Sequence, residues 1–366
     1  MAFVNHLRVL LVCDWFLKYT GSLALALQKS GVEVGLLCRD HFQEFNNDQE
    51  EYLELIEGLR NAKIEVFVVP GRVSSLKAIP GLLRVARELG RWKPDIAHAQ
   101  ENHDPRLLAL TRRYPYLLTV HDPVLHPGEK PIEGVRALFY REWIRSAARV
   151  IVHGERLIGP MAQLTSRQPI LVIPHGASSR ATPLAPPSKR AVLLFGRLEP
   201  YKGIPILLEA MNIVWEQRPD VKLLVFGKGP ERRHLAPDPR IEASTEYVPE
   251  ANLESLFSRA SLVVLPYTEG SQSGVGLQAL ACGVPVILAD VGALPDLAVN
   301  PTFVVRPGDP SSLAAGLLRH LDHGRAMRDE VLLFVRQHLS WDVVARKTLR
   351  AYESVISEKA RELPSS

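Results

Sequence analysis

The stretch Leu262–Leu288, "LVVLPYTEGSQSGVGLQALACGVPVIL", decides the reading of the fold. A short apolar run reaches Pro266 and opens into a loop of Gly, Ser and Gln with one acid, Glu269. An apolar, helix-compatible segment near Val275–Ala281 follows and stops at Gly283-Val284-Pro285, where a second apolar run, Pro285–Leu288, begins. Strand, loop, helix, strand is the repeating unit of a parallel sheet covered on both faces, since such strands have no polar face to show to water. The loop also carries chemistry. Gln272, Ser273 and Gly274 immediately precede the helix, and their backbone N–H groups are donors without intrahelical partners. Donors and helix dipole together favour an anion there, a phosphate above all.

The same alternation extends outward in both directions. Leu7–Cys13 and Val32–Cys38 are apolar runs flanking "GSLALALQKSG", which has helical character and ends on Gly31. Ile64–Val69, a basic helix candidate Leu76–Trp92, Ile96–Ala99, Tyr116–His121, Val150–His153 and Leu171–Pro174 continue the pattern. "ATPLAPPSKR" (Ala181–Arg190), with three prolines and no periodicity, reads as a linker. Alternation restarts with Ala191–Phe195, a helix near Ile204–Glu216, Val221–Phe226 and a helix near Leu253–Ala260. Ser340–Arg361 reads as a long amphipathic helix with Ser340 as its cap. The expectation is an α/β fold of two Rossmann-like, doubly wound domains facing a central cleft. Their spans are residues 1–182 and 183–340, with a C-terminal helix at 341–366 packing back toward the first domain.

Bulk composition agrees with this. A chain of 366 residues exceeds one ordinary core, and 46% hydrophobic with 23% charged residues is a globular balance. A net charge of +4 suits an anionic ligand or a membrane surface and is too small to argue for nucleic acid. Cys13, Cys38 and Cys282 lie in or beside apolar sequence, an odd count that argues against a disulfide framework. No Cys/His cluster has metal-ligand spacing, so no metal is expected. The opening "MAFVNHLRVLLVCD" is broken by His6 and Arg8 and is too short to span a bilayer. A soluble, cytoplasmic protein is expected.

Two further constellations lie in the second half. In "LLFGRLEPYKG" (Leu193–Gly203) a strand ends at Gly196, and Arg197 and Lys202 flank the turn into the next helix. At a strand's carboxyl end these cations suit a diphosphate, Arg by bidentate contact and Lys as a point charge. In "LLVFGKGPE" (Leu223–Glu231), Gly227 and Gly229 permit close backbone approach to a ligand, and a bare turn explains them equally well. No GxGxxG follows the first strand, which argues against a nicotinamide-dependent oxidoreductase.

"GRLEPYKG", "LLVFGKGPE", "VVLPYTEGSQSG", "LQALACGVPVILADVGALPD" and "FVVRPGDPSSLA", in that order, resemble the donor-binding domain of GT-B glycosyltransferases of the retaining family 4. "KPDIAHAQ" (Lys93–Gln100), "LLTVHDP" (Leu117–Pro123) and "LVIPHGA" (Leu171–Ala177) extend the likeness to the first half. The resemblance implies a nucleotide-sugar donor, a glycan, lipid-linked or small-molecule acceptor, and no cofactor. Arg197 and Lys202 would hold the donor diphosphate at the turn opened by Gly196, and the backbone around Gln272–Val275 would cradle its distal phosphate. Gln278, one helical turn on, would reach a sugar hydroxyl, His121 would lie near the donor sugar, and Tyr247–Pro249, with Val248 at its centre, would border the nucleobase. Thr20 and Gly21 would occupy the first loop, near the phosphates, although only one glycine of the usual pair is present.

One departure stands out. The family signature is two glutamates eight positions apart, yet Gln278 occupies the second place and counting back lands on Gly270. Either the loop carries one extra residue and Glu269 is the first acid, or Ser271 or Gln272 takes that place. A catalytically silent sugar-nucleotide-binding protein is therefore the rival reading. On the acceptor side, Lys77, Arg84, Arg87 and Arg91 recur on one helix candidate, and basic residues interleave with Phe139, Tyr140 and Trp143. Such segments suit anionic headgroups and a lipid-linked acceptor. His98, His153 and His175 read as structural, and Asp122 as a turn acid.

Overall fold

Residues 7–45, 47–70, 78–124, 133–165, 167–178, 190–246, 248–249, 252–270, 272–322 and 326–362 are described by a computed structural model of the chain. The polypeptide divides into two units. The first comprises Met1–Pro123, Pro131–Gly176 and Trp341–Ser366; the second comprises Ala177–Ser340 with Val124–Lys130. The expected boundary at 182/183 falls in 179–189, outside the described residues.

The first unit runs β1 (Arg8–Cys13), α1 (Leu17–Lys29), β2 (Glu33–Arg39), α2 (Gln49–Asn61), β3 (Glu65–Val69), α3 (Ile79–Trp92), β4 (Ile96–Gln100), α4 (Pro105–Thr111), β5 (Tyr116–Thr119), α5 (Gly134–Ser146), β6 (Arg149–Val152), α6 (Ile158–Leu164) and β7 (Ile170–Val172). Among the described residues its sheet has seven strands in the order β3-β2-β1-β4-β5-β6-β7, every neighbouring pair parallel. The strands are apolar because both faces are covered: Val9, Leu10, Leu11 and Val12 of β1 are all fully buried. Burying a Val or Leu side chain completely is worth about 1.5–3 kcal/mol, so the central strands carry much of the unit's stability. Helix starts follow local chemistry. Asp48 caps α2, its Oδ1 accepting from the N–H groups of Glu50 at 2.9 Å and Glu51 at 3.1 Å. Asp104 caps α4 in the same way, with Pro105 at the first helical position.

The second unit runs β8 (Ala191–Phe195), α7 (Ile204–Gln217), β9 (Lys222–Phe226), β10 (Ile241–Ser244), α8 (Leu253–Ser258), β11 (Leu262–Leu265), α9 (Gly274–Ala281), β12 (Val286–Ala289), β13 (Val304–Val305), α10 (Pro310–His320) and α11 (Arg328–Phe334). Among the described residues its sheet has six parallel strands in the order β10-β9-β8-β11-β12-β13. Its core lies on both faces: Val192, Ile204, Leu207, Val214 and Leu317 on one, and Leu193, Phe257, Val263, Leu280 and Leu288 on the other. The last helix, α12 (Trp341–Glu362), belongs to the first unit, where Val344, Ala345, Tyr352 and Val355 join the core that contains α1. Among the described residues, no helix is long and apolar enough to cross a membrane.

Both sheets place their first strand centrally, with strand order reversing beside it, between β1 and β4 and between β8 and β11. In open parallel sheets ligands bind at the carboxyl edge of such a reversal, where adjacent loops diverge. In the second unit the flanking loops are those after β8 and β11. These are the loops that carry Arg197, Lys202 and the quoted Ser/Gln/Gly segment.

Candidate functional site

The β8 and β11 loops are fastened to each other by backbone contacts that only glycine permits. Gly203, which follows a single turn of 3-10 helix at Pro200–Lys202, has φ of 71°. A Cβ there would lie 2.0 Å from the Pro266 carbonyl oxygen, at the end of β11. The N–H of Thr268 donates to the Tyr201 carbonyl at 2.8 Å, closing the junction from the other side. Gly196 opens the turn, and a Cβ there would be 3.4 Å from Val275 Cγ2 of α9.

Gly227 and Gly229 serve this packing too. At Gly227, with φ of 152°, a Cβ would sit 1.8 Å from the Gly196 oxygen, and at Gly229 one would sit 2.3 Å from the Leu198 oxygen. The space the sequence offered to a ligand is therefore filled by the chain's own backbone. The Leu198 N–H donates to the Lys228 carbonyl at 2.7 Å, so the turn between the two glycines braces the one that presents Arg197.

Arg197 and Lys202 differ sharply. Arg197 is exposed and has no hydrogen bond or ion pair among the described residues. Lys202 is only 8% exposed, and its Nζ lies 2.5 Å from the Tyr267 hydroxyl and 3.8 Å above the Tyr267 ring. Burial, with the Arg197 charge adding to it and Glu199 opposing, lowers the Lys202 ammonium from its ordinary value to about 7. The Tyr267 hydroxyl continues to Ser273 Oγ at 3.2 Å, and that oxygen accepts the Gly276 N–H at 3.3 Å as the cap of α9. The helix thus begins at Gly274, one residue earlier than the pattern suggested, with Ser273 as its cap and the Gly274 and Val275 amides opening its first turn. Tyr267 was missed in the sequence, since an aromatic ending an apolar run looks like core.

The remaining donor-side residues fall as follows. Gln272 and Val275 are half-buried, Gly274 is exposed, and Gln278 is half-buried one turn into α9. Glu269 is exposed in the loop beside Gly270, whose φ is 138°. Val248 packs against the core beneath α9, while Ser271 and Tyr247 lie outside the described residues.

In the first unit, two expectations are corrected. Thr20 and Gly21 are not in a loop but inside α1, because the segment after β1 is only three residues long before Leu17 begins the helix. The Thr20 amide and Oγ1 both bond to the Phe16 carbonyl, at 2.8 and 2.7 Å, and a Cβ on Gly21 would be 3.6 Å from Leu55 and Leu59. Thr20 thus closes the first turn of α1, and Gly21 faces α2.

His121 is placed beyond the end of β5, buried, with both ring nitrogens engaged inside the unit. His153 Nδ1 lies 2.9 Å from the Ile173 carbonyl, which can only accept, so that nitrogen carries the proton. Its bare Nε2 then accepts the Nδ1–H of His121 at 3.1 Å. His121 Nε2 is thereby a lone pair, facing the Gln100 carboxamide at 3.0 Å. Gln100 Nε2 has no partner among the described residues, so turning the amide to present its NH2 satisfies both groups. Phe16 stacks on the His121 ring at 3.8 Å. Burial first, then neighbouring imidazoles, holds His121 well below its ordinary value. The structure thus engages both nitrogens of the expected cleft histidine within the first unit.

His98, His153 and His175 are also held low by burial, to about 3, 3 and 4. His98 links α12 to β5, with Nδ1 2.8 Å from the Tyr352 hydroxyl and Nε2 2.7 Å from Thr119 Oγ1. Glu101, which the sequence reading passed over, accepts the N–H groups of His121 at 3.1 Å and Asp122 at 3.4 Å. Burial, with Asp122 adding to it, raises its carboxyl to about 7. On the surface, α3 exposes Ile79 and Leu83 beside Arg84, Arg87 and Arg91, and α5 exposes Val135 and Leu138 beside Arg136 and Arg141. Trp143 is buried, and Phe139 and Tyr140 are half-buried, so the aromatics of α5 face inward; Lys77 lies outside the described residues.

Two protein-family models match the chain: Glycosyltransferase Family 4 over residues 18–179 and Glycosyl transferases group 1 over residues 189–323. The phosphatidyl-myo-inositol mannosyltransferase of Mycobacterium tuberculosis is 26% identical over 391 aligned residues, covering 90% of this chain and 99% of that protein. The D-inositol 3-phosphate glycosyltransferase of Segniliparus rotundus is 30% identical over 204 residues, covering 49% of this chain and 45% of that protein. Among solved structures, a glycosyltransferase from Rickettsia africae superposes with a TM-score of 0.69 at 14% identity, over 96% of this chain and 99% of its own. Anabaena HepE in complex with UDP gives a TM-score of 0.68 at 17% identity, over 95% and 100%. These two likenesses bear on the fold, and the sequence matches bear on the family: the chain belongs to the family 4 glycosyltransferases, the glycosyl transferases of group 1, and has the GT-B fold.

Proposed function

We propose that the chain is a retaining glycosyltransferase that takes a sugar from a nucleoside-diphosphate sugar and delivers it to a hydroxyl acceptor. One observation carries the reading: where the strand order of the second sheet reverses, the buried Lys202 is linked through Tyr267 to the Ser273 cap of α9, and the exposed Arg197, with no partner among the described residues, follows Gly196, where a Cβ would touch Val275 of that helix's first turn. A diphosphate there would receive a bidentate guanidinium, an ammonium and backbone N–H groups at once. In transfer, the bond between the anomeric carbon and the diphosphate breaks through an oxocarbenium-like state. The acceptor oxygen attacks the same face and its proton goes to the departing phosphate. The protein's part is to hold the partners and stabilise charge on the leaving group, and the chain's own cations do so here. The UDP held in HepE fits this donor class. The exposed Ile79, Leu83, Val135 and Leu138, set among arginines, favour a lipid-linked acceptor.

The test is transfer from radiolabelled UDP-, GDP- and ADP-sugars in the presence of a bacterial lipid extract, with the anomeric configuration of the product read by NMR. Label in the organic phase with retained configuration is expected. Inverted configuration would refute the retaining mechanism, and binding without turnover on any donor would establish the silent alternative.

A further inference from the structure

We propose that Tyr267 is a positioning residue of the diphosphate site, linking the Lys202 amine to the Ser273 cap of α9 through a hydrogen-bond chain whose polarity reverses when the lysine takes up a proton as a diphosphate binds. The proposal rests on the reading of Lys202 as a diphosphate ligand. Its geometric basis is the chain Lys202 Nζ, Tyr267 hydroxyl, Ser273 Oγ, with steps of 2.5 and 3.2 Å, ending at the cap of the helix that would receive the phosphate.

Lys202 has an unusual setting for a phosphate-binding lysine. It is buried between the rings of Tyr201 and Tyr267, at 5.0 and 3.8 Å, and has no carboxylate within ion-pair distance among the described residues. The titratable groups that face it are Arg197 and Glu199 from its own turn, Tyr201 beside it, and Tyr267 from the β11 loop. Glu269, in that same loop, is exposed and makes no ion pair with it. Arg197 disfavours a second cation, Glu199 favours one, and burial decides against the charge. The Tyr267 phenol is itself pushed up by burial, so it stays protonated and supplies one O–H in either state.

The hydrogen-bond arithmetic then gives two polarities. With a neutral amine, Ser273 O–H donates to the Tyr267 oxygen and Tyr267 O–H donates to the Nζ lone pair. With an ammonium, Nζ–H donates to the Tyr267 oxygen and Tyr267 O–H donates to Ser273 Oγ, which still accepts the Gly276 N–H. The Ser273 proton is thereby released to donate outward, at the start of α9. An arriving diphosphate favours the second state twice over, through the lysine charge and through the freed serine donor. The proton comes from solvent, about one per diphosphate bound.

The experiment is calorimetric titration with UDP-glucose, GDP-mannose and ADP-glucose, whose diphosphates do not titrate near neutrality, in buffers of different ionisation enthalpy. At pH 8 the wild type should take up about one proton per ligand, and its affinity should fall about tenfold per pH unit above pH 7. Lys202→Met should show no uptake. Tyr267→Phe, which keeps the ring and loses the hydroxyl, removes a charge-assisted bond from the ammonium, so its affinity should begin to fall at a lower pH than that of wild type. Binding without proton uptake, or the same pH profile in wild type and Tyr267→Phe, would overturn the proposal. Failure of all three nucleotide sugars to bind would instead overturn the diphosphate reading beneath it.

Discussion

Lys202 shows most clearly what a single side chain costs and contributes. Its ammonium is lowered to about 7, below the ordinary 10.5, so between these pH values the unfolded chain holds a proton that the folded chain does not. The cost to stability is therefore full below pH 7 and fades as pH rises toward 10.5. At about 1.4 kcal/mol per unit, it reaches on the order of 5 kcal/mol. Lys202→Met should raise the melting temperature at pH 6 and bring little gain by pH 10; equal melting at pH 6 would show that burial does not disfavour the lysine charge. The candidate cations Arg197 and Lys202 were legible in the sequence because glycine, arginine and lysine follow an apolar run that could only be a strand. Their support was not. Tyr267 and Glu101 each sit beside apolar sequence, and their roles depend on contacts with residues distant in the chain. Gln278 was legible as a departure: on the proposed reading, a neutral amide would keep a hydrogen bond worth about 0.5–1.5 kcal/mol where a carboxylate would give about 1.5–3, so donor binding would survive the change.

At the scale of elements, the strands declared themselves and the helices did so unevenly. Fully buried parallel strands read as continuous apolar runs, so β1, β2, β8 and β11 were plain. β10 was not, because Ile241–Ser244 is an edge strand of half-exposed and exposed residues. Gly21 was misplaced because a lone Thr-Gly resembles a loop signal, when its small size serves the packing of α1 on α2. The middle of β4 and the segments after β5, β6 and β7 hold His98, His121, His153 and His175, the first three buried and the last half-buried, all kept neutral. Their folded values lie below the ordinary 6.5, so stability is complete above that pH and is lost as pH falls through the window down to about 3. Glu101 and Asp14, raised by burial, oppose this with protons bound in the folded state. The balance is two to three protons, or about 3–4 kcal/mol per pH unit near pH 5. Urea midpoints should drop steeply between pH 6 and pH 5; a flat profile would mean that the histidines are not held neutral.

For the molecule as a whole, two sheets with the same reversal of strand order explain why the two halves share an architecture without sharing a sequence. That much followed from apolar runs and their spacing, together with motifs whose order along the chain matched a family. The central claim is narrower: the loops after β8 and β11 form a diphosphate site, with Arg197 as its exposed cation. Arg197 has no partner among the described residues, so its removal should leave the fold intact. The direct test is calorimetric titration of wild type and Arg197→Ala with UDP, GDP and ADP, with melting temperatures taken alongside. The account predicts that at least one diphosphate binds the wild type, and that Arg197→Ala binds it about 10- to 100-fold more weakly with unchanged melting. Equal affinity in the two proteins, or no binding of any of the three to wild type, would contradict it.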